Sequence, residues 1–159
     1  MSEALLLAIG GILGISLGRL WDIRSETLRW HRDQKTACYQ RLAEAFILIY
    51  EDIRSIALTD PDTDESANAI DRARRDKTWD NALASVWLHG STPVVAAASL
   101  MDRVLTELFY DAQARVFSVE QWNTARTPSA SAFEGFISAA RKELNLSAAP
   151  ITLFPYTPS

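Results

Sequence analysis

CYQRLAEAFILIYEDIRSIA, residues 38–57, is the stretch on which the fold turns. Tyr39, Leu42, Phe46, Ile49, Ile53 and Ile56 are spaced 3, 4, 3, 4 and 3 apart, so a helix of this sequence gathers them on one apolar stripe. No Pro or Gly interrupts residues 19–58, and the period predicts one long helix whose core-facing part begins near Cys38.

Downstream, TDPDTDES (residues 59–66) reads as a loop, because Pro61 biases Asp60 out of the helical region. A second helix is expected over about 66–88, carrying Ile70, Trp79, Leu83 and Val86 inward, with Gly90 as its C-terminal cap. Its charged first half, Asp71 to Lys77, reads as a solvated face. Ser91 or Thr92 caps a third helix, with Pro93 in its first turn, running to about Phe117 and burying Val94, Ala97, Met101, Val104, Leu105 and Leu108. Ser118 and Gln121 have capping-box spacing and open a short piece containing Trp122, which Thr127 and Pro128 break. A last helix over about 131–146 carries Phe133, Phe136, Ile137, Ala140 and Leu144, and a Pro-containing tail follows from Ser147. With no strand period of useful length, the expectation is an all-α protein, an antiparallel helical bundle of about four helices.

Upstream lies ALLLAIGGILGISLG, residues 4–18, with no charged side chain. A hydrocarbon core of roughly 30 Å takes about 20 helical residues and no fewer than about 17, so the run spans if Arg19 snorkels and Leu20 and Trp21 complete it. A cleaved signal peptide lacks support, since no basic residue precedes the run. A buried core helix and an in-plane amphipathic helix are the other readings, the latter lacking a polar face. Arg19, Arg24, Arg29, Arg32 and Lys35 follow the run and no Lys or Arg precedes it. The positive-inside rule then puts the N-terminus outside and the C-terminal domain in the cytoplasm, at the cell membrane. The expected organisation is a transmembrane anchor over 1–21, a juxtamembrane helical stalk over 22–37, a cytoplasmic bundle over 38–146 and an extended tail over 147–159. Gly10, Gly14 and Gly18 share one face of the span and allow close helix association. Arg19, Trp21, Arg24 and Trp30 are the expected membrane-interface residues.

Chemistry-bearing patterns are sparse. A net charge of −4 argues against a nucleic-acid partner. Asp60, Asp62 and Asp64 alternate like calcium ligands, but Glu65 stands where the loop needs Gly and the twelfth residue, Asp71, is not Glu. His31 and His89 are far apart, no HExxH occurs, and His89 suits a helix C-terminus, so no metal is expected. Cys38, the single cysteine, sits at the edge of the apolar stripe and reads as a buried hydrophobe. The Arg72, Arg74, Arg75 and Lys77 cluster is interleaved with Asp71 and Asp76. No phosphate-cradling glycine loop and no nucleophile elbow is present, so no catalytic residue and no cofactor is expected.

The short glycine-containing span, the segment RLWDIRSETLRWHRDQKTACYQRL, the HGS–Pro turn and the final FISAARKELNL helix together resemble small uncharacterised single-pass membrane proteins of actinobacteria and their phages. That resemblance implies an anchored helical protein and carries no activity or site. The expected function is a non-enzymatic protein–protein interaction or structural module at the cytoplasmic membrane face. Its expected partners are the lipid bilayer and a second copy or another membrane protein. The alternative is a membrane-tethered small-ligand sensor or enzyme with a pocket inside the bundle, using Glu44, Glu51 or Glu107. A third reading is a peripheral subunit of a larger membrane complex.

Overall fold

The computed structural model describes residues 30, 32–60, 63–64, 67–68, 70–71 and 77–150. It divides into two units, Met1–Gln34 and Lys35–Ser159. Of the first, the described residues 30 and 32–34 are helical. The expected span, with Gly10, Gly14, Gly18, Arg19, Trp21 and Arg24, lies outside the described residues. Among those described, no helix is long and apolar enough to cross a membrane.

The second unit is all-helical among its described residues. Helix α1 covers residues 35–58, α2 is Thr78–His89, α3 is Thr92–Ala114, α4 is Val119–Ala125 and α5 is Thr127–Glu143. Contacts fix their directions. Ser129 Oγ donates to the Val104 carbonyl while Ser91 meets Glu143, so α3 and α5 run antiparallel. Tyr39 packs on Phe136, Phe46 on Phe133 and Tyr50 on Trp122, which sets α1 antiparallel to α5 as well. Trp79 Nε1 donates to Asp102 and Trp87 Nε1 to Ser99, pairing α2 with α3 as a hairpin. The result is an up-down-up-down bundle with α4 as a short cross-piece.

Hydrophobic burial holds it together. Leu42, Phe46, Tyr50, Ile53 and Ile56 of α1 meet Trp79, Leu83 and Val86 of α2, Val94, Met101, Leu105 and Leu108 of α3, and Phe133 and Phe136 of α5. The buried stripes are wider than a single row. Tyr50 is buried while Ile49 is only half-buried, and Ala98 lies deeper than Ala97. A helix inside a bundle meets two neighbours, so its apolar face spans more than one ridge.

Local corrections have physical causes. The expected helix over 66–88 has a boundary at Lys77, and α2 begins at Thr78. Helix α3 stops at Ala114 rather than Phe117, because the buried Phe117 turns inward and its N–H donates to the Ala57 carbonyl at 2.8 Å. Arg115 covers the Phe117 ring, its guanidinium carbon 4.5 Å from the centroid. The capping box at Ser118 and Gln121 forms in both directions, at 3.2 and 2.9 Å. The short helix ends at Ala125, as expected, but α5 starts at Thr127 rather than about 131, with Pro128 in its first turn, where the missing N–H is harmless. Helix α5 ends at Glu143, and Asn145 takes the left-handed conformation (φ 56°). Leu146 N–H then reaches the Arg141 carbonyl at 2.9 Å and Asn145 N–H the Lys142 carbonyl at 3.2 Å, a Schellman motif.

Gly90 is the C-cap of α2, as expected, in an extended conformation (φ −79°, ψ 154°). Its need for glycine is spatial: a Cβ there would lie 2.8 Å from the Val86 carbonyl oxygen, which already accepts the Gly90 N–H at 2.7 Å. Gly90→Ala is therefore expected to destabilise the bundle by about 1–3 kcal/mol, the usual cost of overpacking. Urea unfolding followed by tryptophan fluorescence checks this; an unchanged midpoint would contradict the crowding argument.

Candidate functional site

Among the described residues, a dense polar constellation sits where the start of α1, the α2–α3 turn and the end of α5 meet. Glu143 is its centre, with a side chain only 13% exposed. Lys35 Nζ donates to Oε1. Oε2 accepts from the Tyr39 hydroxyl at 2.6 Å, the Ser91 hydroxyl at 2.9 Å and the Ser91 backbone N–H at 3.3 Å. Ser91 stands at the N-cap of α3 without capping it through its own side chain. Glu143 takes up that N–H instead, placing its negative charge at the positive end of the α3 dipole.

Burial alone would raise the Glu143 carboxyl, but the hydrogen bonds from Lys35, Tyr39 and Ser91 outweigh it and hold the group down at about 2. Tyr39 moves the opposite way, pushed up by burial and then by its bond to the Glu143 carboxylate. A carboxylate this acidic is a weak base, and its lone pairs are committed to neighbouring helices. The constellation is built as a clasp that closes the bundle.

A groove of about 410 Å³ lies at the opposite end of α1, bounded by Tyr50, Arg54, Leu58, Val119, Trp122 and Arg126. Tyr50 and Trp122 form its floor, their ring centroids 5.6 Å apart. A third surface is apolar. Trp87 and Leu88 of α2 and Leu100 of α3 are 53%, 79% and 44% exposed, and the Trp87 indole N–H donates to Ser99, the residue before Leu100.

The residues singled out by sequence distribute as follows. Trp30 is helical and exposed. Cys38 is buried, and burial pushes its thiol up although Arg41 pulls the other way, so it is not set up as a nucleophile. Glu44, Glu51 and Glu107 are exposed rather than gathered in the core; of the three only Glu51 borders the groove. His89 is exposed in the last turn of α2. Among the described residues no group of three His, Cys, Asp or Glu side chains could hold a metal ion; Asp62 lies outside them. The sequence reading missed Lys35, Ser91 and Glu143 as a set. One signal was present: an acid in the last turn of a helix opposes the dipole unless something outside that helix compensates it.

No protein-family model, no curated protein and no solved structure matches the chain.

Proposed function

We propose that this chain is a non-catalytic, membrane-anchored helical module that associates at the cytoplasmic membrane face with a second copy or with another membrane protein. The observation that carries the association is the exposure of three large apolar side chains on the α2–α3 hairpin, Trp87, Leu88 and Leu100. Large apolar side chains grouped on a surface mark interaction sites, whereas single scattered ones do not. Trp is also the residue type most enriched at binding hot spots. Anchoring is supported by the uncharged run over residues 4–18, and its orientation by the Arg residues that follow it. The glycine face of that run offers a second contact between chains.

The experiment is the mass of the full-length protein, measured by light scattering after extraction in mild detergent. A dimer or a defined heteromeric complex is expected, and the double variant Trp87→Ser, Leu88→Ser should shift it to monomer with an unchanged helical spectrum. A strictly monomeric and partnerless wild-type protein would end the association reading. Full solubility of the chain without detergent would end the anchoring reading.

A further inference from the structure

We propose that the outer face of α3 docks a second copy of this chain, the two α3 helices lying antiparallel across a two-fold axis. This rests on the association reading above and gives it a partner and a geometry.

Ala96, Leu100, Arg103, Glu107, Tyr110 and Ala114 are all exposed and stand 4, 3, 4, 3 and 4 residues apart, so they form one stripe along the solvent side of α3. The order along the stripe is small, apolar, cation, anion, apolar, small. Reversed, it is the same except that the two central charges change places. Such a face is complementary to its own copy turned end for end. With the axis midway between Arg103 and Glu107, Arg103 faces the partner's Glu107 and Glu107 faces the partner's Arg103. Leu100 then faces the partner's Tyr110, and the alanines meet at both ends, which is the reciprocal pairing that a two-fold interface requires. Trp87 of α2 donates to Ser99 at 3.3 Å, which sets its ring beside the Leu100 end of the stripe. Tyr110, 63% exposed, is thereby brought to the partner's Leu100 and Trp87. Trp, Tyr and Arg are the residue types that dominate binding hot spots, and this face carries one of each.

The charges choose both occupant and direction. Arg103 and Glu107 are one turn apart on the same helix, yet among the described residues neither makes an ion pair with the other or with any other side chain. Both are left for a partner to meet. Parallel pairing would set each charge against its own copy, and like charges in contact repel. An unrelated helix would need the same order of apolar and charged positions in reverse, which a second copy supplies without further requirement. Two chains tethered in one bilayer meet at high effective concentration, so a face of this modest size suffices.

The test is the mass of the full-length protein by light scattering in mild detergent, followed through a dilution series. A wild-type dimer is expected. Arg103→Glu and Glu107→Arg should each raise its dissociation constant by at least about tenfold, because symmetry makes every reversal count twice. The double exchange Arg103→Glu, Glu107→Arg should return it to within about threefold of wild type, and an equimolar mixture of the two single variants should form mixed dimers. Tyr110→Ser should weaken the dimer by about tenfold, whereas Glu44→Lys, on the exposed surface of α1, should leave it unchanged. Circular dichroism of each variant separates lost pairing from lost fold. A dimer indifferent to both single reversals would overturn the proposal, as would a double exchange or a mixture that pairs no better than the single variants. A complex formed only with a different protein would do the same. Each of those results leaves the association reading standing, whereas a monomeric and partnerless wild-type protein ends both.

Discussion

Glu143→Ala is expected to lower the unfolding free energy by about 3 kcal/mol. The first route to that magnitude is linkage: a carboxyl held at about 2, against an ordinary value of 4.5, contributes on the order of 3 kcal/mol near neutrality. The second is the set of donors left behind. Lys35, its side chain 35% exposed, loses its acceptor, and so do the Tyr39 hydroxyl and both Ser91 groups. Stranding buried or half-buried donors costs about 1–3 kcal/mol each before relaxation and water entry reduce it. The two routes describe the same interactions and are not summed. Glu143→Gln keeps an acceptor oxygen but loses the charge, so a smaller loss is expected. The pH dependence has a definite sign. Because the folded-state value is the lower one, the stabilisation is present above about 4.5 and disappears as pH falls towards 2. Wild-type unfolding free energy should therefore decline through that window more steeply than that of Glu143→Gln. Urea titrations at several pH values read this directly, and parallel curves for the two proteins would refute it. Tyr39 adds an opposite limb: its folded value is raised, so its share holds below about 10 and fades at higher pH.

Phe46→Ala should be more damaging, costing about 3–5 kcal/mol. Phe46 is fully buried, stacks on Phe133 at 4.5 Å and also meets Tyr50 and Trp79, so one ring joins α1, α2 and α5. Removing it leaves a cavity facing rigid aromatic neighbours that cannot collapse inward without losing their own contacts. For a chain of this size the melting temperature should fall by about 10 °C. Phe46→Leu should cost about 1–2 kcal/mol, since it retains most of the volume. Leu48→Ala, two residues on but exposed, should stay within about 0.5 kcal/mol of wild type. Equal losses at positions 46 and 48 would mean that the stripe is misassigned.

The bundle was legible because its signals are local. The stripe from Tyr39 to Ile56, the Ser118–Gln121 box and the first-turn Pro93 each act within a few residues, so spacing alone reveals them. Tyr50 and Ala98 were not assigned to the core because a one-row template cannot see a helix wedged between two others. The start of α5 was placed at about 131 rather than 127 for a related reason: Pro can end one helix or open the next, and the surrounding backbone chooses between these roles. The clasp was hidden for a different reason. Lys35 and Glu143 are 108 residues apart, and nothing in the period of either helix indicates that their ends meet. The groove is of the same kind, since Arg54 and Arg126 become neighbours only through the tertiary fold.

That long separation bears on how the protein is made. At synthesis rates of about 5–20 residues per second, Glu143 is added roughly 5–20 s after Lys35. During that interval α1 has been translated without α5, and the rings of Phe46 and Tyr50 lack the aromatic neighbours that later cover them. The newborn chain thus carries the apolar face of α1 without its final cover for much of its time on the ribosome. Slower translation of the α5 segment should lengthen that exposure.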